Sequence, residues 1–172
     1  MVYKTTFTSR TLVLGDVHCR VDKVKDVMKQ AKYNKEEDQL ICLGDYFDRG
    51  EQVEETVKLI EQLYMDGAYM LLGNHDYFIL DYYKHKDDLL TNDQILMNWF
   101  YNGGEETLLF LLDDDKKSDN VCDLLNQFQT SLELEVNGRK TRFSHAGCDF
   151  NKDWKEQSID DLTWSREDFY DY

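Results

Sequence analysis

The chain has 172 residues, enough to bury one sizeable core and short of the length at which chains usually divide, so residues 1–172 read as one domain. Its 35 acidic against 20 basic residues give a formal charge of −15, which excludes a generic nucleic-acid groove, because affinity for phosphate backbones comes from clustered Lys and Arg. No apolar run is long enough to span a bilayer, no leader is recognisable, and the four cysteines lack close pairing, so a cytoplasmic, reducing setting without membrane contact is expected.

Residues 1 to 10 carry Thr, Ser, Lys and Arg around Phe7 and read as a frayed start or an extra edge strand. Leu12-Val13-Leu14 then runs into Gly15-Asp16-Val17-His18, and Val21, Val24, Val27, Met28 and Ala31 recur behind it at helical spacing. A second unit repeats the pattern: a strand over 39–43, a loop over 44–50, and a helix with apolar positions Val53, Val57, Ile60, Leu63 and Tyr64, closed by Gly67. A strand over 68–72 completes a βαβαβ start. Parallel strands joined by right-handed crossovers place their connecting loops at one edge of the sheet.

From Tyr77 to Thr130, residues such as Phe78, Leu80, Leu90, Trp99 and Phe100 fall in helical patterns, which predicts a helical insertion over about 77–130. Gly103-Gly104 and Asp113-Asp114-Asp115 break it, the acidic run reading as a solvated loop because no regular ligand spacing marks a calcium site. Leu132, Leu134 and Val136 alternate ahead of Asn137-Gly138, and strand character resumes over 140–144, a hairpin signal because Asn-Gly fits a type I′ turn. The tail, Trp154 to Tyr172, mixes aromatics and acids. Proline is absent, so Gly, Asn and Asp supply the turns.

Four apolar runs end in loops rich in Asp, Asn and His: Gly15 to His18, Gly44-Asp45-Tyr46-Phe47-Asp48-Arg49-Gly50, Gly73-Asn74-His75-Asp76, and Ser144-His145-Ala146-Gly147. The carboxyl ends of strands are where open α/β sheets place ligands. Asp16, His18, Asp45, Asn74 and His145 offer carboxylate, amide and imidazole donors, a set suited to Mn, Fe, Zn, Ni or Mg, and one shared carboxylate can bridge two ions. Two ions about 3.5 to 4 Å apart suit phosphate-ester hydrolysis, because they hold substrate oxygens and make hydroxide available near neutral pH. Asp45 is the natural bridge. His18 lies two residues after Asp16, so both side chains of an extended segment point the same way. His75 follows Asn74 and is expected to face away from that ligand, toward a leaving group to which its protonated ring can donate, with Asp48 on its other ring nitrogen. Arg49 and Arg166 can fork onto phosphoryl oxygens, although Arg166 can equally form a surface ion pair with Glu167 or Asp168.

At these residues the chain resembles the PPP-type metallophosphoesterase superfamily, the calcineurin-like phosphoesterases, whose signatures are Gly-Asp-x-His, Gly-Asp-x-x-Asp-Arg-Gly, Gly-Asn-His-(Asp/Glu) and a later His-Gly/Ala loop. Trp164-Ser165-Arg166-Glu167 is similar to a segment of the bacterial and phage serine/threonine protein phosphatase branch. The resemblance implies a layered α/β fold, a central β-sandwich flanked by helices. It implies two divalent ions, manganese first, one on Asp16, His18 and Asp45 and the other on Asp45, Asn74 and His145. It further implies His75 as general acid, Asp48 as its partner, and Arg49, Arg166 and Asn74 as phosphate contacts. The expected reaction is phosphomonoester hydrolysis by a metal-bridging hydroxide. The substrate is expected to be a phosphorylated protein or a nucleotide, with dinucleoside polyphosphate or cyclic nucleotide hydrolysis and a non-catalytic binding module as alternatives.

Two departures stand out. Cys19 occupies the place after the first motif's histidine where glycine is usual. The superfamily also takes one more histidine for the second ion from a segment beyond the arginine, whereas this sequence ends at Tyr172. The second sheet is therefore expected to be incomplete, with an exposed edge available for self-association.

Overall fold

A computed structural model of the chain describes residues 3–4, 10–136 and 138–166. Two three-stranded sheets face each other. The first runs β2 (Arg10–Leu14), β3 (Asp38–Cys42), β4 (Tyr69–Met70), all parallel, with Leu14 opposite Cys42 and Cys42 opposite Met70. That register brings the loops after all three strands out at the same edge. The second sheet has β5 (Ser131–Val136) between β1 (Tyr3–Lys4), which is parallel to it, and β6 (Arg139–Ser144), which is antiparallel. The extra edge strand considered for the chain start therefore exists at Tyr3–Lys4. Phe7 lies outside the described residues, as do Asn137 of the hairpin turn and the tail from Glu167.

All five residues of β3 are buried, because its two faces meet two different layers. Ile41 joins Leu71, Leu132 and Leu134 in a small core between the sheets, with Leu43, Tyr69 and Phe143 against it. Leu40 and Cys42, half a pleat away, face the larger helical core. A sandwich with helices outside one sheet follows directly from that alternation.

The helices α1 (Val21–Ala31) and α2 (Val53–Met65) form where the apolar spacing places them. Val24, Ile60 and Leu63 are buried, whereas Val27 is 52% exposed and Tyr64 37% exposed. The helical period carries those two positions to the rim of the buried stripe rather than its centre. Gly67 ends α2 as expected: at φ +88° it lets Ala68 N–H reach Leu63 O at 3.0 Å.

The stretch read as an insertion holds α3 (Asn74–Lys84), α4 (Leu89–Tyr101), α5 (Glu105–Leu112) and α6 (Asp115–Leu125). Two expectations change here. The first helix begins three residues earlier than Tyr77, at Asn74 itself. The run Asp113-Asp114-Asp115 is a capped junction between helices rather than a free loop: Asp113 closes α5 and pairs with Lys117, while the Asp114 carboxylate accepts from Lys116 N–H at 2.9 Å to start α6. Ile79, Trp99, Leu111, Val121 and Leu125 from these helices are buried in the same core as Val24 and Ile60. After β6 come a 3₁₀ turn (Trp154–Glu156) and α7 (Ile159–Trp164), whose Ser158 and Asp161 form a capping box. Among the described residues no helix is long and apolar enough to cross a membrane.

Candidate metal centre

The three loops leaving the first sheet are knitted together by backbone. Val17 N–H and His18 N–H both donate to Asp45 O at 2.9 Å, and Cys19 N–H donates to Tyr46 O at 2.9 Å. The loop after β3 then meets the start of α3 so closely that two glycines are required. A Cβ on Gly44, already at φ +103°, would stand 2.2 Å from Gly73 N, and one on Gly73 would stand 2.1 Å from Asp45 Oδ1. Asp76 holds this junction. Its carboxylate accepts from the backbone N–H groups of Asp45 (2.7 Å), Tyr46 (2.9 Å) and Gly73 (2.9 Å). Burial, with the Asp45 carboxylate beside it, pushes the Asp76 pKa well up, against the pull of those three donors.

Around Asp45 the side chains converge. Its Oδ2 lies 3.7 Å from His18 Nε2 and 3.5 Å from His145 Nε2, and His18 Nε2 is 3.7 Å from Asp16 Oδ2. His145 Nε2 is 3.1 Å from Asn74 Oδ1. Both rings turn their other nitrogen to a backbone carbonyl, His18 Nδ1 to Phe47 O at 2.8 Å and His145 Nδ1 to Leu43 O at 3.0 Å. Donation of Nδ1–H to those carbonyls leaves each Nε2 as a lone pair aimed at Asp45. Carboxylate oxygens, an amide oxygen and two imidazole lone pairs thus face one another, an arrangement whose missing partner is a cation. The donor set fits a divalent ion. The guanidinium of Arg49 is the one positive group that reaches in among the described residues, donating to His18 Nε2 and to His75 Nε2, each at 2.8 Å.

His75 differs from its expected placement. As the second residue of α3 it is turned by about 100° from Asn74 rather than opposite to it. Its ring therefore lies against His18, centroids 4.9 Å apart, and its donor atom falls with those of His18 and Asp45 within 4.8 Å. Asp16, Asp45 and His145 form a second such group. The pairing with Asp48 is present: His75 Nδ1 is 2.6 Å from Asp48 Oδ2, both side chains fully buried. Arg166 is exposed beyond α7 and makes no hydrogen bond to another described residue. Its segment is nonetheless tied to the His145 loop, by Ala146 N–H to Leu162 O at 2.8 Å and Gly147 N–H to Ser165 O at 2.9 Å. Glu167 and Asp168, its alternative partners, lie outside the described residues. A cavity of about 690 Å³ lies elsewhere, on the outer face of β5 and β6 between Glu133, Arg142 and Trp154, and holds none of the motif residues.

Four neighbours of this site are not legible as such in the sequence. Asp76 stands inside a recognised motif without a role readable from it. Trp99 donates its indole N–H to Asp48 Oδ2 at 2.8 Å, Thr107 Oγ1 accepts from Asp48 N–H at 3.1 Å, and Gly103 O accepts from Arg49 N–H at 2.9 Å. All three come from the insertion, and the break at Gly103-Gly104 is the one signal in that stretch.

Cys19 is fully buried, and burial pushes its thiol up to about 12. Cys42 is likewise buried, its thiol also at about 12. At pH 8 a disulfide exchange reagent should leave Cys19 and Cys42 of the folded chain unmodified and label all four cysteines after denaturation. Fast labelling of Cys19 in the folded protein, located by mass spectrometry, would show an accessible thiol instead.

The model of the calcineurin-like phosphoesterase family matches residues 9–169. The serine/threonine-protein phosphatase 2 of Salmonella typhimurium is 26% identical over 90% of this chain and 67% of its own length. A symmetrical bis(5′-nucleosyl)-tetraphosphatase of Psychromonas ingrahamii is 37% identical over 41% of this chain and 25% of its own. A crystal structure whose proposed identity is a diadenosine tetraphosphatase superposes with a TM-score of 0.64 at 21% identity, covering 94% of this chain and 61% of that one, and shows the same fold. The chain thus spans about two thirds or less of the proteins it matches. With the family model running across all four loops that meet at Asp45, the chain belongs to the calcineurin-like phosphoesterases, a family that uses divalent metals.

Proposed function

We propose that the protein is a two-metal phosphomonoesterase acting on phosphoserine or phosphothreonine. The observation that carries this reading is that His18 and His145 both turn Nε2 toward Asp45 Oδ2, with Asp16 beside His18 and Asn74 beside His145. One ion would be held by Asp16, His18 and Asp45, the other by Asp45, Asn74 and His145. When bound, such ions polarise the phosphoryl group and lower the pKa of a coordinated water, with manganese the first candidate. The chain's own groups do the rest. His75 Nε2 faces the site while Nδ1 is held by Asp48, the arrangement of a ring set to pass a proton to a departing alkoxide. Arg49 is exposed, its Nε 3.4 Å from Asn102 O, and its fork is placed to take phosphoryl oxygens in place of the two imidazoles. Arg166 would approach phosphate from the segment tied to the His145 loop, and Asn74 would add an amide contact.

The protein-phosphatase reading is preferred because the Salmonella relative aligns over nearly the whole chain, whereas the tetraphosphatase of Psychromonas aligns over less than half of it. The test is a panel of phosphopeptide, phenyl phosphate, 2′,3′-cyclic nucleotide and diadenosine tetraphosphate with manganese, beside a count of bound metal. Turnover of phosphopeptide and phenyl phosphate with two ions per chain is expected. Preference for diadenosine tetraphosphate would move the substrate class to nucleotides. No turnover of any compound by a folded chain carrying one ion or none would favour a non-catalytic phosphate-binding module.

A further inference from the structure

Among the insertion's described side chains that reach the site, Trp99 is the one that meets the Asp48 carboxylate, whereas Thr107 meets the Asp48 backbone. Trp99 is fully buried near the end of α4, and its indole N–H donates at 2.8 Å to the same Asp48 oxygen that His75 Nδ1 meets at 2.6 Å. The other carboxylate oxygen, Asp48 Oδ1, is buried and has no hydrogen-bond partner among the described residues. The rotation of the carboxylate is therefore set by two bonds to a single oxygen. Without Trp99 only the bond to His75 would remain, and a pair held by one bond can turn together.

The indole is itself tightly seated. A Cβ on Gly104 would stand 2.3 Å from its ring, so the corner after α4 closes flush against it, and Tyr82 packs on it at 5.7 Å between centroids. The same corner supports the backbone that carries Asp48. Asp48 and Arg49 have φ of 71° and 65°, a region costly for residues other than glycine. Their N–H groups are taken by Thr107 Oγ1 and Gly103 O from the segment that follows Trp99.

We propose that Trp99 is a positioning residue for the His75 and Asp48 pair: its indole N–H fixes the Asp48 carboxylate and, through it, the ring that faces the leaving group. The proposal rests on the reading of His75 as general acid. Buried Trp normally finds a partner for its N–H. Here the partner is the carboxylate on which the His75 ring depends, so the bond acts on orientation as well as on packing.

The test replaces Trp99 in the full chain, first as Trp99→Phe and then with a benzothienyl analogue that keeps the bicyclic ring and substitutes sulfur for N–H, so that loss of packing is separated from loss of the donor. With manganese, kcat for phenyl phosphate, a poor leaving group, should fall about tenfold, a fraction of the roughly 10²–10⁴ that a general acid supplies. p-Nitrophenyl phosphate, which needs less protonation, should be affected less, and KM and bound metal should stay as in the parent. Independently of turnover, the low-field Nδ1–H proton resonance of His75 in the metal-free chain should shift or broaden in both variants. Equal losses on both substrates with an unmoved resonance would make Trp99 a packing residue only. An unchanged analogue variant would overturn the proposal outright. If the parent chain hydrolyses neither ester, the functional reading fails while the resonance still decides the role of Trp99.

Discussion

Asp45→Asn is expected to abolish metal binding and lower kcat by on the order of 10³ or more, while the metal-free chain keeps its fold. The argument is geometric. Asp45 Oδ2 is the atom that both His18 Nε2 (3.7 Å) and His145 Nε2 (3.5 Å) face, so a neutral amide there removes the shared anionic ligand from both proposed ions. The effect should exceed the roughly 10–100-fold loss of affinity that outer-shell changes cause. Folding is spared for three reasons. Asn tolerates the left-handed backbone of this position, φ 54°. Its Oδ1 can still accept from His75 N–H, now at 2.9 Å. Loss of the charge also relieves Asp76, whose pKa Asp45 helps to push up. Metal analysis after dialysis and thermal melts with and without manganese read metal binding and folding, and a phenyl phosphate assay reads kcat. Two ions per chain retained by Asp45→Asn would refute the bridging assignment.

His75→Asn separates acid catalysis from metal binding. If His75 donates the proton, kcat falls by about 10²–10⁴ and two ions remain. The structure makes the alternative concrete, since the donor atom of His75 lies within 4.8 Å of those of His18 and Asp45. A variant that loses one ion would make His75 a ligand and would require a different proton donor. The substitution also carries a folding cost of about 1–3 kcal/mol, because it removes a partner from the wholly buried Asp48 carboxylate. Turnover should therefore be compared at a temperature where the melt shows both proteins folded.

The parts of this protein legible in its sequence are those set by local rules. A strand running into a short loop of Asp, Asn or His is a pattern of a few residues, and its four copies are enough to single out Asp16, His18, Asp45, Asn74, His75 and His145. Register completes the arrangement, because parallel strands in the order β2, β3, β4 bring their loops to one edge. Periodicity likewise places α1, α2 and the β5–β6 hairpin within a few residues. It does not show that α3 starts at Asn74, since a motif that reads as loop can also serve as the first turn of a helix. That start turns His75 toward His18.

What the sequence by itself determined is the chemical inventory of the rim and the order in which the loops present it. What only the tertiary structure decided is how the inventory is held. Trp99 and Thr107 meet Asp48 across 51 and 59 residues, and Asp76 reaches back across 31 residues to Asp45 N–H. Such contacts depend on how α4 and α5 pack against the core, a sum of many small burial terms that no short motif records. The direction of each imidazole was equally hidden, because it is set by carbonyls of Leu43 and Phe47 that every sequence possesses and only a folded loop can aim.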